Sequence, residues 1–373
     1  MENKKYIYCL LVIICISFIL IGFFNYEKII SFFSDKNWEI IESFATIQSE
    51  NISQVESGKM LLLLTNNSLS LYNNSSEKEF SENIVITEII SNSCESYMAV
   101  VSKDNNTIYL FKDSELLWKK DFNWNILNVS VNKNGYLTVI YSQSGYKSSI
   151  KIFKPTGDEL FTTYLASTYA LDVEISNDNK FLYIAEIDTE GIKIKSNIKI
   201  IEISNIEPGI NLTPKVETLL VGTDYLITDI EYNNENKLLV LKESGIDYLD
   251  SDKILKTFGS FDVKTTLFAS VDNSDAPVII EKVSTGIFTN ETNLKVFTND
   301  EVIETKINRT PQSIDVMHNK IALNLGDEVV FYNTNGKIVK RYELENQLVS
   351  VKLYDNGNKA ALVFRNRIEL LKL

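Results

Sequence analysis

The sequence predicts an all-β fold: a β-propeller of about eight four-stranded blades, with seven as the alternative, preceded by one N-terminal transmembrane helix. Three observations lead there. From Ile52 onward, apolar residues alternate at period two between turns rich in Asn, Asp and Gly, the signature of antiparallel β-structure. The alternation recurs in four-strand units of about 40 residues, the size of a propeller blade. Ahead of them, Tyr6 to Phe24 reads YIYCLLVIICISFILIGFF, with no charge.

The N-terminal run comes first. At 1.5 Å rise per residue it spans roughly 28 Å, a hydrocarbon core's thickness. Lys4 and Lys5 precede it, so the positive-inside rule keeps residues 1–5 in the cytoplasm and sends the bulk of the chain outside. A cleaved signal would have a shorter apolar stretch ending in a small-residue pair. Gly22-Phe23-Phe24-Asn25-Tyr26 offers none. The expected organisation is a cytoplasmic tail (1–5), a membrane helix (6–24), a membrane-proximal spacer (25–37) and a propeller ectodomain (38–373). The expected location is the cell membrane, single-pass, with the propeller extracytoplasmic.

The clearest blade unit starts at Leu127 and runs NVSVNKNG, YLTVIYS, SIKIFKPTGDEL, FTTYL. Further opening strands fall near Ile52, Ile86, Ala170, Ile227, Lys264 and Ser313, and a last unit, SVKLYDNGNK-AALVFRN-RIELLKL, has three strands only. An unpaired edge there would invite aggregation. Residues 38–47 read as a lone strand and would supply the missing outer strand. Gly157, Gly336 and Gly357 sit in tight turns.

Composition limits function. The hydrophobic fraction is 44% and the charged fraction 23%, which suits a folded domain. Net charge is −13, so nucleic acid and anionic headgroups are repelled. Cys94 is the one cysteine outside the apolar run, which excludes an internal disulfide in the ectodomain. The single histidine, His318, lies in a turn. No Ser-elbow, HExxH, P-loop or calcium-loop motif is present, so no cofactor and no metal site are expected.

Two residue sets stand out. Glu174, Glu231 and Asp315 lie on opening strands, which line a propeller's channel. They are candidates for binding water or a cation, or for acid/base work; polarity of a wet channel wall is the simpler reading. Trp124, Tyr169, Tyr225, Phe261 and Arg309 lie just before successive opening strands. The links between blades share one face, and the QSGYKS turn with Tyr146 and Lys147 faces the same side. Either a recognition surface or packing between blades accounts for them.

The segment Val129–Ala185, VSVNKNGYLTVIYSQSGYKSSIKIFKPTGDELFTTYLASTYALDVEISNDNKFLYIA, resembles an uncharacterised membrane-anchored propeller family of low-GC Gram-positive bacteria. SNDNKFLYIA is more distantly similar to WD40-like and YncE-like blades, without the Trp-Asp and Gly-His signatures. The resemblance implies fold and topology and carries no catalytic residues. The expected function is non-enzymatic: a tethered scaffold binding an envelope protein or a cell-wall polymer. The alternative is an extracytoplasmic carbohydrate hydrolase or lyase using the channel carboxylates.

Overall fold

Eight antiparallel sheets follow one another along the chain, the first seven built from four consecutive strands each and the last from three. They span residues 52–83, 89–121, 126–165, 168–223, 227–260, 266–307, 313–343 and 350–372, here blades 1 to 8. The computed structural model describes residues 39–373 except 50, 207–213, 224–225, 234, 251, 272–275, 284–290 and 300. The expected tail (1–5), membrane helix (6–24) and spacer (25–37) lie outside the described residues. Among the described residues no helix is long and apolar enough to cross a membrane.

The second and third strands of each blade are apolar on both faces because each sheet is sandwiched between two others. Leu61–Thr65 of blade 1 shows this. Leu62 and Leu64 join a core shared with blade 2, while Leu61 and Leu63 join a core shared with blade 8. In blade 7, Phe331 faces blade 8 and its neighbours Val330 and Tyr332 face blade 6. The same alternation builds the cores between blades 2 and 3, 3 and 4, 4 and 5, and 5 and 6. Eight inter-blade cores thus close a ring of eight, not seven, and the opening strand near Ile52 begins a full blade. The outer strands alternate half-buried and exposed, as in Lys78–Asn83 and Val302–Ile307, because they have water on one side.

Of the segment expected as one strand over 38–47, the described residues 39–47 do not form a single strand. Glu39–Ile40 adds a fifth strand to blade 7, and Ala45–Gln48 pairs with Arg367–Lys372 as the outer strand of blade 8. Between them Ile41 is buried in the core of blades 7 and 8. Ile41 N–H donates to Arg341 O at 3.0 Å and Phe44 N–H to Leu370 O at 2.9 Å. The chain thereby passes from blade 7 to blade 8, which divides the segment into two short strands.

Candidate functional site

The innermost strands surround a central channel of about 490 Å³. Its wall carries Glu56, Asp172, Glu174, Asp229, Glu231, Asp315 and Lys352. Glu174, Glu231 and Asp315 are therefore placed on one surface. Period-two alternation does this: Val173, Ile230 and Val316 fill cores while their neighbours Glu174, Glu231 and Asp315 meet the channel.

Several of these polar groups stitch one blade to the next. Asn92 Oδ1 accepts Val131 N–H at 2.9 Å, Asp172 Oδ2 accepts Ile230 N–H at 3.1 Å, and Asp315 Oδ2 accepts Leu353 N–H at 2.6 Å. Asn128 Nδ2 donates to the other Asp172 oxygen at 3.1 Å, so Asp172 ties blades 3, 4 and 5. Glu174, 6% exposed, accepts Ser130 Oγ–H at 2.5 Å. Lys352 Nζ lies 3.1 Å from Glu56 Oε2, joining blade 8 to blade 1. Such bonds satisfy innermost-strand N–H groups that have no further strand to pair with. Asp172→Ala is expected to destabilise the ring by about 2–3 kcal/mol, because it strands one backbone donor and one amide. Urea unfolding checks this; a midpoint equal to wild type would remove the stitch role.

The turns joining first to second strands repeat the device in blades 3 to 5. Asn132 Nδ2 donates to Asn179 Oδ1 at 2.7 Å, Asn134 Nδ2 to Asn177 O at 2.9 Å, and Asn177 Nδ2 to Asn233 O at 3.2 Å. The NKNG and SNDNK runs are turns by backbone, and their amides also fasten adjacent blades. Among the described residues no group of His, Cys, Asp and Glu side chains is arranged to hold a metal ion. His318 takes a left-handed turn conformation, φ 49°.

Cys94, half-buried near this wall, has its thiol pKa pushed well above its ordinary value. Burial is the main cause, reinforced by the Glu231 and Glu174 charges. Slow alkylation by iodoacetamide at pH 8, accelerating on unfolding, is the expected behaviour; labelling of the native protein at a free-thiol rate would contradict it.

On the face of the inter-blade links the aromatic set divides. Trp124 is half-buried against the core of blades 2 and 3, with its ring 4.3 Å from that of Tyr141. Phe261 packs against the core of blades 5 and 6. Both rings fill gaps between sheets, where an aromatic buries the most area. Tyr225 lies outside the described residues. Arg309 is exposed and ion-paired to Asp327 of blade 7. Tyr146 and Tyr169 remain in solvent, 42% and 44% exposed.

These two belong to a cluster on blades 3 and 4. Tyr146 stacks on Tyr164 with ring centroids 4.6 Å apart. Lys147 Nζ sits 5.2 Å from the Tyr169 ring centroid and 3.8 Å from Glu190 Oε1. Ile192 and Ile194, in the inserted loop of blade 4, are exposed. Sequence reasoning missed Tyr164, whose outer strand gives no sign of which neighbour it meets. It also missed Ile192 and Ile194, whose only signal is two apolar residues in an insertion.

Eight four-stranded blades closed into a ring make this a β-propeller of WD40-like fold. The chain belongs to the family of unknown function DUF5711, whose model matches residues 34–373. Among solved structures it is similar to the C-terminal WD40 domain of Sif2, with TM-score 0.57 and 14% identity, covering 90% of this chain and 99% of that one. It is also similar to dihydro-heme d1 dehydrogenase NirN in complex with DHE, with TM-score 0.53 and 11% identity, covering 87% and 73%. At such identities the likeness is one of fold. No curated protein matches.

Proposed function

We propose that this chain is a membrane-tethered, non-enzymatic binding scaffold. Residues 6–24 hold the propeller outside the cytoplasm, and its link face contacts an envelope protein or a cell-wall polymer. The observation that carries the reading is the tyrosine cluster of blades 3 and 4. Solvent-exposed, stacked aromatics are typical of contact surfaces, and these rings belong to no inter-blade core. The channel supports the same reading, since Asp172 and Asp315 are engaged with backbone donors.

The test is a cross-linked pull-down of the full-length protein from its native membrane, read by mass spectrometry. Wild type is expected to retain an envelope partner or glycan that Tyr146→Ser/Tyr169→Ser loses at least tenfold, a change of about 1.4 kcal/mol. An interactome unchanged by the double substitution would refute the face. Turnover on wall glycans abolished by Glu174→Gln would favour the hydrolase instead.

A further inference from the structure

Blades 8 and 1 come from opposite ends of the chain, and beside the core that they share their seam carries a surface depression. A cleft of about 500 Å³ lies there, lined by Ile52, Val349, Val363, Phe364, Lys352 and Arg365 among others. We infer that this cleft binds a small organic anion with a flat apolar body, independently of the tyrosine face.

Four observations support the assignment. Its volume falls within the usual range for small-ligand sites, roughly 300–1,000 Å³. Its wall mixes polar residues (Asn51, Ser53, Gln54, Ser350) with an apolar strip in which Val349, 58% exposed, and half-buried Ile52 reach the surface above the buried Val363 and Phe364. Lys352 is held by Glu56 at 3.1 Å, and both line the cleft and the channel. Their ion pair is thus the partition between the two spaces. Arg365, at the tip of the turn between Lys359–Val363 and Arg367–Lys372, is exposed. Among the described residues it forms no ion pair, whereas Arg309, Arg341 and Arg367 each have a carboxylate. In a protein of net charge −13, a guanidinium left without a carboxylate beside an apolar cleft is set up for an incoming anion.

The geometry orients the ligand. The carboxylate, sulfonate or phosphate end meets Arg365 at the mouth, and the apolar body lies along Val349 and Ile52. A dianion would gain little extra, because Lys352 is already neutralised by Glu56.

The test is calorimetric titration of the full-length protein in nonionic detergent, with a detergent blank. The probe is naphthalene-2-sulfonate, and naphthalene-2-sulfonamide is its neutral isostere. Expected are saturable binding of the sulfonate and about tenfold weaker binding of the sulfonamide. Arg365→Gln is expected to reduce sulfonate affinity about tenfold and leave the sulfonamide unchanged. Val349→Trp, which fills the cleft from its rim, is expected to abolish both. Equal affinity for the two probes, or a sulfonate affinity unchanged in Arg365→Gln and Val349→Trp, would overturn the proposal. So would saturation that fails to appear with the wild type. Arg365 and Val349 are both exposed, so the variants should fold, and a wild-type melting temperature verifies it.

Discussion

Excising Glu39–Gln48 from the full-length chain is expected to unfold the propeller as a whole, not to loosen one edge. The excised segment bridges blades 7 and 8. Ala45–Gln48 forms the outer ladder of blade 8, and Ile41 fills the core between the two blades. Half-buried Ala45 and Ile47 pack on the core between blades 8 and 1. Losing several ladder hydrogen bonds at about 1 kcal/mol each and two isoleucine side chains at about 1–2 kcal/mol each costs about 5 kcal/mol. That is comparable to the whole stability of many domains, about 5–15 kcal/mol. The excision also uncovers Ile368 and Leu370 on an unpaired strand edge, a template for aggregation. Trp118 and Trp124 in blades 2 and 3 are distant reporters. Their fluorescence should melt together with the far-ultraviolet signal, at a temperature at least 10 °C lower, and size-exclusion chromatography should show aggregates. A monomeric variant with an unshifted tryptophan transition would mean that the ring does not need its clasp. Ile47→Asp is the milder companion and should show the same direction with a smaller shift.

How much of this was legible in the sequence depended on whether a feature is local. Strand periodicity, the turns at Gly157 and Gly336, and the acids on opening strands are local patterns, each fixed by a few consecutive residues. The blade count was readable as well, because every blade repeats the same local pattern. The features that were not legible join residues far apart in the chain. Asp172 accepts a hydrogen bond from Ile230 N–H, and Asn132 donates one to Asn179; sequence shows the polar residue but not the partner that it meets one blade away. Trp124 and Phe261 sit in links just as Tyr169 does, and only the packing of adjacent sheets decides that two are half-buried and one exposed. Arg309 has the charge expected of an anion contact, yet Asp327 from the next blade already occupies it. The cleft of blades 8 and 1 exists only after the chain ends meet. Function in such a fold rests on these long-range juxtapositions, which is why the local reading reached the architecture before the site.

Gly357→Val is the second large effect expected, and it probes the same seam from the C-terminal side. Asp355, Asn356 and Gly357 adopt φ values of 54°, 57° and 76° in succession. Asn and Asp tolerate the left-handed region; β-branched residues do so poorly, at about 1–2 kcal/mol. Space is a separate constraint. A Cβ on Gly357 would lie 2.9 Å from the backbone oxygen of Met317 in blade 7 and 3.1 Å from Lys320 Cγ. On the other side, Asp355 N–H donates to Gly58 O of blade 1 at 3.0 Å. The turn is wedged between two neighbours and has no direction in which to retreat, so overpacking adds a further 1–3 kcal/mol or so. The total expected for valine is about 3–4 kcal/mol, and for alanine about 2–3 kcal/mol. Gly145 separates the two contributions. Its φ is 91° and a Cβ there meets nothing within 4 Å, so Gly145→Ala should cost only the conformational part, about 1 kcal/mol. Urea midpoints of the three variants give the comparison. If Gly357→Ala and Gly145→Ala lose the same amount, the seam contributes nothing beyond backbone strain. If the Gly357 loss is at least double, the contact between blades 7 and 8 carries part of the stability of the ring.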